Sequence, residues 1–210
     1  MKKLFIIISL LTATVAMAQS EKYMNAMSST LQQFGDANTT EELTAVAQKF
    51  ERIADAEKTQ WLPYYYTAFV KTILCLSGKI TDIDAMADEA TIALDKAASL
   101  EPTNSEIYCV RSLIATAKMI VNPQARYMEY GPKINQYIEK AKAADSTNPR
   151  PYYIQASNLA NTPKQFGGGC DNAKPLALRA LELYNSFKPA SELHPNWGKE
   201  TTEKIIENCQ

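Results

Sequence analysis

Asp95-Lys-Ala-Ala-Ser-Leu-Glu-Pro-Thr-Asn104 and Glu139-Lys-Ala-Lys-Ala-Ala-Asp-Ser-Thr-Asn148 are two versions of one stretch, set 44 positions apart. The same offset relates Tyr64, Tyr108 and Tyr152, and also Thr59, Thr103 and Thr147. It relates Phe50, Leu94 and Ile138, then Arg52, Lys96 and Lys140, then the small residues Ala68, Ser112 and Ala156. One such column arises by chance, whereas five in one register mark a repeated unit. The units are helical. Ala, Leu, Glu, Lys, Gln and Met dominate them, and Leu43, Val46, Ala47, Phe50, Ile53 and Ala54 fall on one helical stripe. Thr39 followed by Glu42 reads as a capping box, and the strict alternation of a strand is missing.

The pattern predicts helices at about 20–34, 40–57, 62–78, 81–100, 104–121, 131–144, 149–160, 171–187 and 197–209. Pro63, Pro132 and Pro151 are placed in first turns, where a missing N–H costs little. Each unit is then an antiparallel helix pair that cannot bury its apolar stripe alone, so the units must stack. The expectation is an all-α fold in a single domain over 19–210, with units at about 59–102, 103–146 and 147–190. Helices over 20–57 precede the units and a capping helix at 197–209 follows them.

With 210 residues, 46% of them apolar, the chain is long enough to bury one sizeable core. A net charge of −1 provides no basic excess against phosphates, which argues against a nucleic-acid partner. One His and four Cys cannot build the common ligand-rich metal sites. Lys2 and Lys3, the apolar run Leu4 to Val15 and the small residues Ala16 and Ala18 have the layout of a secretory signal peptide over 1–18. That run is too short to span a bilayer of about 30 Å. The mature chain is expected to begin at Gln19, without a membrane-inserted segment, in the periplasm or outside the cell.

Four clusters invite chemistry. Gly167-Gly168-Gly169 precedes a helix whose N-terminus could take an anion, but no strand leads into it and no Gly-Lys-Ser/Thr follows. A loop needing positive φ explains it better. Cys170 with His194 could be a thiol nucleophile and its base, although no third group orients them. Asp82, Asp84, Asp88 and Glu89 lack the spacing of a Ca²⁺ loop and suit a helix start. Tyr64-Tyr65-Tyr66 and Tyr152-Tyr153 cannot present a shared face, because consecutive helical residues point about 100° apart. Tyr64 and Tyr152 are expected in the core and Tyr65 and Tyr153 at the surface. No catalytic residue, metal ligand or cofactor is assigned.

Ala90, Leu94, Ala97 and Pro102, with Tyr108 and Ser112, resemble the small, aromatic and proline positions of the tetratricopeptide repeat family over about residues 40–190. The unit of 44 is longer than that family's, and Pro102 has no counterpart at Ser146. The stretch from Phe166 to Gly198 looks like the last part of repeat proteins exported by Bacteroidetes-type bacteria. The resemblance implies a short right-handed solenoid whose first helices line a concave groove. By register that groove holds Leu62, Tyr65, Phe69, Glu106, Leu113, Arg150 and Tyr153. An apolar groove of this kind suits a peptide or an amphipathic helix, unless helix 20–34 fills it from within through Met24, Met27, Leu31 and Phe34. The implied role is a monomeric, non-enzymatic binding or scaffold module of the cell envelope. The alternative is an envelope enzyme or small-ligand-binding protein using the Cys170/His194 region.

Export allows disulfides. Cys170 opens one helix and Cys209 closes the next, so an antiparallel arrangement brings them together and predicts a bridge. Cys75 and Cys109 lie at different heights on parallel helices and are expected as free thiols.

Overall fold

The computed structural model describes residues 21–209, so the expected signal peptide and Gln19 lie outside the described residues. Among the described residues there is no strand. Helix α1 covers 21–36, followed by α2 (Thr40–Ala56), α3 (Trp61–Leu76), α4 (Ile83–Leu100) and α5 (Ser105–Ile120). Then come α6 (Pro123–Ala144), α7 (Arg150–Ala160), a 3₁₀ turn at Lys164–Phe166, α8 (Cys170–Ser186) and α9 (Lys199–Asn208). The fold is all-α and built from antiparallel helix pairs.

Local chemistry fixes the helix starts. Thr39 and Glu42 form the reciprocal capping box, with the Glu42 backbone N–H donating to Thr39 Oγ1 at 3.1 Å. Asp82, Asn104 and Asn122 cap α4, α5 and α6, each accepting a backbone N–H with its side chain. The spacing of the first helices follows the sequence repeat: α3 begins at Trp61, α5 at Ser105 and α7 at Arg150. Helix α3 packs on α4, α5 on α6 and α7 on α8, while α3, α5 and α7 adjoin in a row. Small residues let the second helices come close. Ala87, Ala90, Leu94 and Ala97 of α4 are fully buried, as are Ala173, Ala177 and Ala180 of α8. No described helix is long and apolar enough to cross a membrane.

One departure from the sequence reading has a physical cause. Helix α6 starts at Pro123, about two turns before the expected 131, because Asn122 caps it and Pro123 occupies the first turn. Pro132 therefore lies inside the helix. The residue before it is Gly131, which has no Cβ to clash with the proline ring. The third unit is also shortened. Helix α7 has 11 residues where α5 has 16, and a 3₁₀ turn replaces the missing length.

The disulfide joins Cys170 and Cys209, whose Cα atoms are 5.2 Å apart. It fastens the start of α8 to the end of α9. Closing a loop of 39 positions is worth about 4 kcal/mol in the chain-entropy picture. Cys75 and Cys109 are free and buried. Burial pushes the Cys109 thiol well up and the Cys75 thiol up to about 11, so both stay protonated and behave as small apolar groups.

Candidate ligand-binding surfaces

The residues expected to line a concave groove do converge, but the groove is not open. Segment 187–198, between α8 and α9, is laid into it. Trp197 stacks on Phe69 with ring centroids 4.6 Å apart and meets Tyr153 edge-on at 6.1 Å. Its indole N–H donates to the Tyr65 hydroxyl at 2.9 Å. Tyr65 and Arg150 are fully buried, Phe69 and Leu62 nearly so, and Leu113, Tyr153 and Glu106 are half-buried. The chain's own segment thus covers the face expected to serve as a peptide groove. Helix α1 contributes at one end, with Met27 in the core and Phe34 edge-on to Phe69 at 5.9 Å.

Beneath Trp197 lies a buried polar network. Arg150 donates to Glu106 at 2.8 Å, and its guanidinium sits 5.0 Å from the Trp197 ring and 4.8 Å from the Phe187 ring. Asn148 donates to Glu106 at 2.7 Å, and Tyr65 donates to its other oxygen at 3.2 Å. Burial pushes the Glu106 carboxyl above its usual range, opposed by Arg150, Asn148 and Tyr65. Burial works most strongly against the Arg150 charge, but Glu106 together with Tyr65, Tyr184 and Cys109 outweighs it and raises that group. Three side chains also hold alternate carbonyls of the inserted segment. Tyr66 donates to that of Leu193 at 2.9 Å, Arg150 to that of Pro195 and Tyr184 to that of Trp197 at 2.9 Å. Gly198 has φ +103, and a Cβ there would lie 2.1 Å from the Tyr184 hydroxyl, so only glycine fits.

The other sequence candidates resolve as structural parts. Cys170 is in the disulfide and has no thiolate to offer, while His194 Nδ1 meets Ser191 Oγ at 2.7 Å and its ring lies edge-on to Trp61. The Cys170/His194 alternative thus loses its nucleophile. Gly167 and Gly169 have φ of +83 and +92, the loop conformation expected of them, and Gly169 is the residue before α8. Asp82 is a cap, Asp84 takes both Arg126 amino groups at 2.7 Å, Asp88 pairs with Lys118, and Glu89 with Lys71 at 2.6 Å. No group of His, Cys, Asp and Glu suited to a metal ion occurs among the described residues. The tyrosine assignment holds at Tyr64, which is buried, and fails at Tyr65 and Tyr152. Tyr65 is in the core, whereas Tyr108 and Tyr152 are half-buried and Tyr152 lies beneath Lys142. Helix α3 is covered on every side, by α2, α4, α5 and segment 187–198, so every residue from Leu62 to Val70 is buried and Tyr65 is core along with Tyr64 and Tyr66.

Open concavities lie elsewhere. A cleft of about 820 Å³ runs between α1 and α2, with Tyr23, Ala26, Ile53 and Ala56 in its walls and Lys22, Lys49 and Arg52 among its lining. A smaller one of about 390 Å³ between α2, α3 and α4 is lined by Glu51, Asp55, Glu89, Lys71 and Lys96. Lys71 bridges Glu51 and Glu89 there, and Lys96 lies over the Tyr64 ring.

A solved structure, the HusA haemophore from Porphyromonas gingivalis, superposes on this one with a TM-score of 0.81. The two sequences are 34% identical, over 90% of this chain and 92% of that one. This chain belongs to the HusA haemophore family. No family model and no curated protein matches it. In this HusA relative, sequence reasoning missed Trp197, Leu193 and Tyr184, which fill and tie the groove, and Tyr23 in the α1–α2 cleft. Trp197 had one available signal, being one of two tryptophans in a segment without periodicity. Tyr23 had none.

Proposed function

We propose that this chain is an exported, non-enzymatic carrier of haem or a closely related tetrapyrrole. The observation that supports the reading is the family membership: 34% identity over nine-tenths of the chain with a haemophore. The chain's own chemistry agrees. Its strongest nucleophile candidate is locked in a disulfide, and its free thiols are buried and protonated. The Cys170–Cys209 bridge suits an oxidising compartment, in keeping with a signal peptide over 1–18. A peptide-binding role has less support, since the groove that would serve it is filled by segment 187–198.

The test is an optical titration of the purified chain with haemin and with iron-free protoporphyrin IX. The expected result is saturable one-to-one binding, with a shifted Soret band for haemin and quenched porphyrin emission. Absence of saturable binding by either ligand would remove the proposal.

A further inference from the structure

We infer that the Cys170–Cys209 bridge is a redox-operated catch on the segment that covers the groove. Its two-electron reduction by a dithiol lets α9 peel away with segment 187–198 and bares the covered face of α3, α5 and α7, while the other helix pairs stay folded. This goes beyond the carrier reading and holds whatever the chain binds.

The layout places the catch. Segment 187–198 runs from the end of α8 to the start of α9, and the bridge ties the start of α8 to the end of α9. The covering segment therefore lies inside the loop that the bridge closes, and it lifts freely only when α9 moves with it. Helix α8 has support of its own, since it packs on α7 and buries Ala173, Ala177 and Ala180 completely. Helix α9 has little. It has 10 residues, of which Thr202 and Ile205 are buried. A helix of that length is marginal in water without outside support. Tyr66, Arg150 and Tyr184 tie three carbonyls of the segment, and each such hydrogen bond is weak beside a covalent link. With the bridge intact the segment is gripped at both ends; with it cut, at one.

The bridge is also placed to be reduced. Cys170 and Cys209 are both partly exposed, whereas the free thiols Cys75 and Cys109 are buried. Cys170 is the first residue of the 17-residue α8, where a helix N-terminus favours a thiolate. Lys174, one turn on, donates to the Cys209 carbonyl at 3.2 Å and brings an ammonium to the same spot. A stabilised thiolate leaves faster and favours the reduced form. In the reaction one thiolate of the dithiol attacks Cys209 Sγ, the S–S bond breaks, and its electron pair leaves on Cys170. The second thiolate of the dithiol then attacks its own sulfur in the mixed disulfide and frees Cys209. The chain gains two electrons and two protons, and the dithiol, losing both, becomes a cyclic disulfide.

The two free thiols report the opening. Cys109 packs in one cluster with Ile154, Tyr153 and Trp197, beneath the covering segment. Cys75 lies near the C-terminal end of α3 and faces α4, its sulfur 3.7 Å from the Ile83 carbonyl. The experiment treats the purified chain with dithiothreitol, removes it, adds N-ethylmaleimide and follows each cysteine by peptide mass. Dithiothreitol should open the bridge without denaturant. Cys109 should then react about thirtyfold faster or more, and Cys75 should stay within about threefold of its rate in the bridged chain. Far-ultraviolet circular dichroism should keep most of the helical signal. The double variant Cys170→Ser, Cys209→Ser should label Cys109 at the reduced rate with no dithiothreitol, and reoxidation of the parent should restore the slow rate. A bridge that yields only in denaturant would overturn the inference. So would unchanged labelling of Cys109 in both the reduced chain and the double variant, which would make the segment's own ties sufficient. Equal acceleration of Cys75 and Cys109 would overturn it as well, because the array would then open as a whole.

Discussion

The filled groove of α3, α5 and α7 and the open cleft of α1 and α2 use the same kinds of side chain to opposite ends. Each brings aromatic rings, aliphatic walls and cations together. In the groove the polar groups are answered from within the chain, Arg150 Nε being the exception. Arg150 has Glu106 and the Pro195 carbonyl, Tyr65 has Glu106 and Trp197, and Tyr66 and Tyr184 have carbonyls of the inserted segment. In the cleft the Tyr23 hydroxyl has no hydrogen-bond partner, and Lys22 and Arg52 make no ion pair, among the described residues. A concave surface whose polar atoms are matched is core, however groove-like its register looks.

If the groove is core, removing its central ring should have the largest effect in the molecule. Trp197→Ala loses the stack on Phe69, the bond to Tyr65 and the cover over Arg150. Large aromatic truncations in a core cost about 3–5 kcal/mol. For a domain of this size that lowers the melting temperature by on the order of 10 °C. A shift within about 2 °C of the parent would show segment 187–198 to be a loosely held cover, reopening the groove as a site.

The ion pair beneath it should be nearly as sensitive, in an asymmetric way. Arg150→Met leaves Glu106 buried without its cation and should cost about 3–5 kcal/mol. Pairing it with Glu106→Gln removes the stranded charge, and the double variant should recover part of that loss. Thermal melts of the two variants side by side check this. A double variant less stable than Arg150→Met would mean that the network, not the charge balance, is what the fold requires.

A third comparison concerns the staple. Replacing Cys170 and Cys209 with Ser should cost about 2–4 kcal/mol, because α9 and segment 187–198 lose their far attachment. The loss should be confined to that end. Hydrogen exchange should quicken in α9 and the inserted segment while α2 and α3 stay protected. Uniform quickening would show that the whole array unfolds as one unit.

What the sequence made readable follows from the range of the interactions involved. Helix identity and pairing are local or nearly so: the stripe from Leu43 to Ala54, the Thr39 and Glu42 cap and the offset linking Tyr64 to Tyr108 and Tyr152 carry them. The disulfide was legible because it follows from the antiparallel layout of α8 and α9. The occupant of the groove was not. Segment 187–198 has no periodicity, and Trp197 meets Tyr65 across 132 positions of chain. The start of α6 was missed because Pro132 and Pro123 both look like first-turn prolines, and only the Asn122 cap decides between them. Tyr65 was placed outside because the segment that covers its face of α3 comes from more than a hundred positions away. The orphaned hydroxyl of Tyr23 is a property of what fails to meet it, which a sequence does not encode.

The smallest effect is the most diagnostic, because its sign differs from the rest. Tyr23→Phe removes one buried hydroxyl that has no partner and keeps the ring that packs beside α2. A buried group left without a hydrogen bond carries a desolvation penalty of about 1–3 kcal/mol. Tyr23 is only half-buried as a residue, so the lower end of that range applies. The ligand-free variant should therefore melt at or slightly above the parent, by about 2–4 °C for a gain near 1 kcal/mol. Tyr66→Phe makes the same chemical change in the groove region, but there the hydroxyl donates to the Leu193 carbonyl, so the variant strands that acceptor and should melt lower. Opposite signs for two identical substitutions would establish that the Tyr23 hydroxyl is unmatched and the Tyr66 hydroxyl is not. A stability loss in Tyr23→Phe equal to that in Tyr66→Phe would instead give the Tyr23 hydroxyl an internal partner, and the distinction between the two concave regions would collapse.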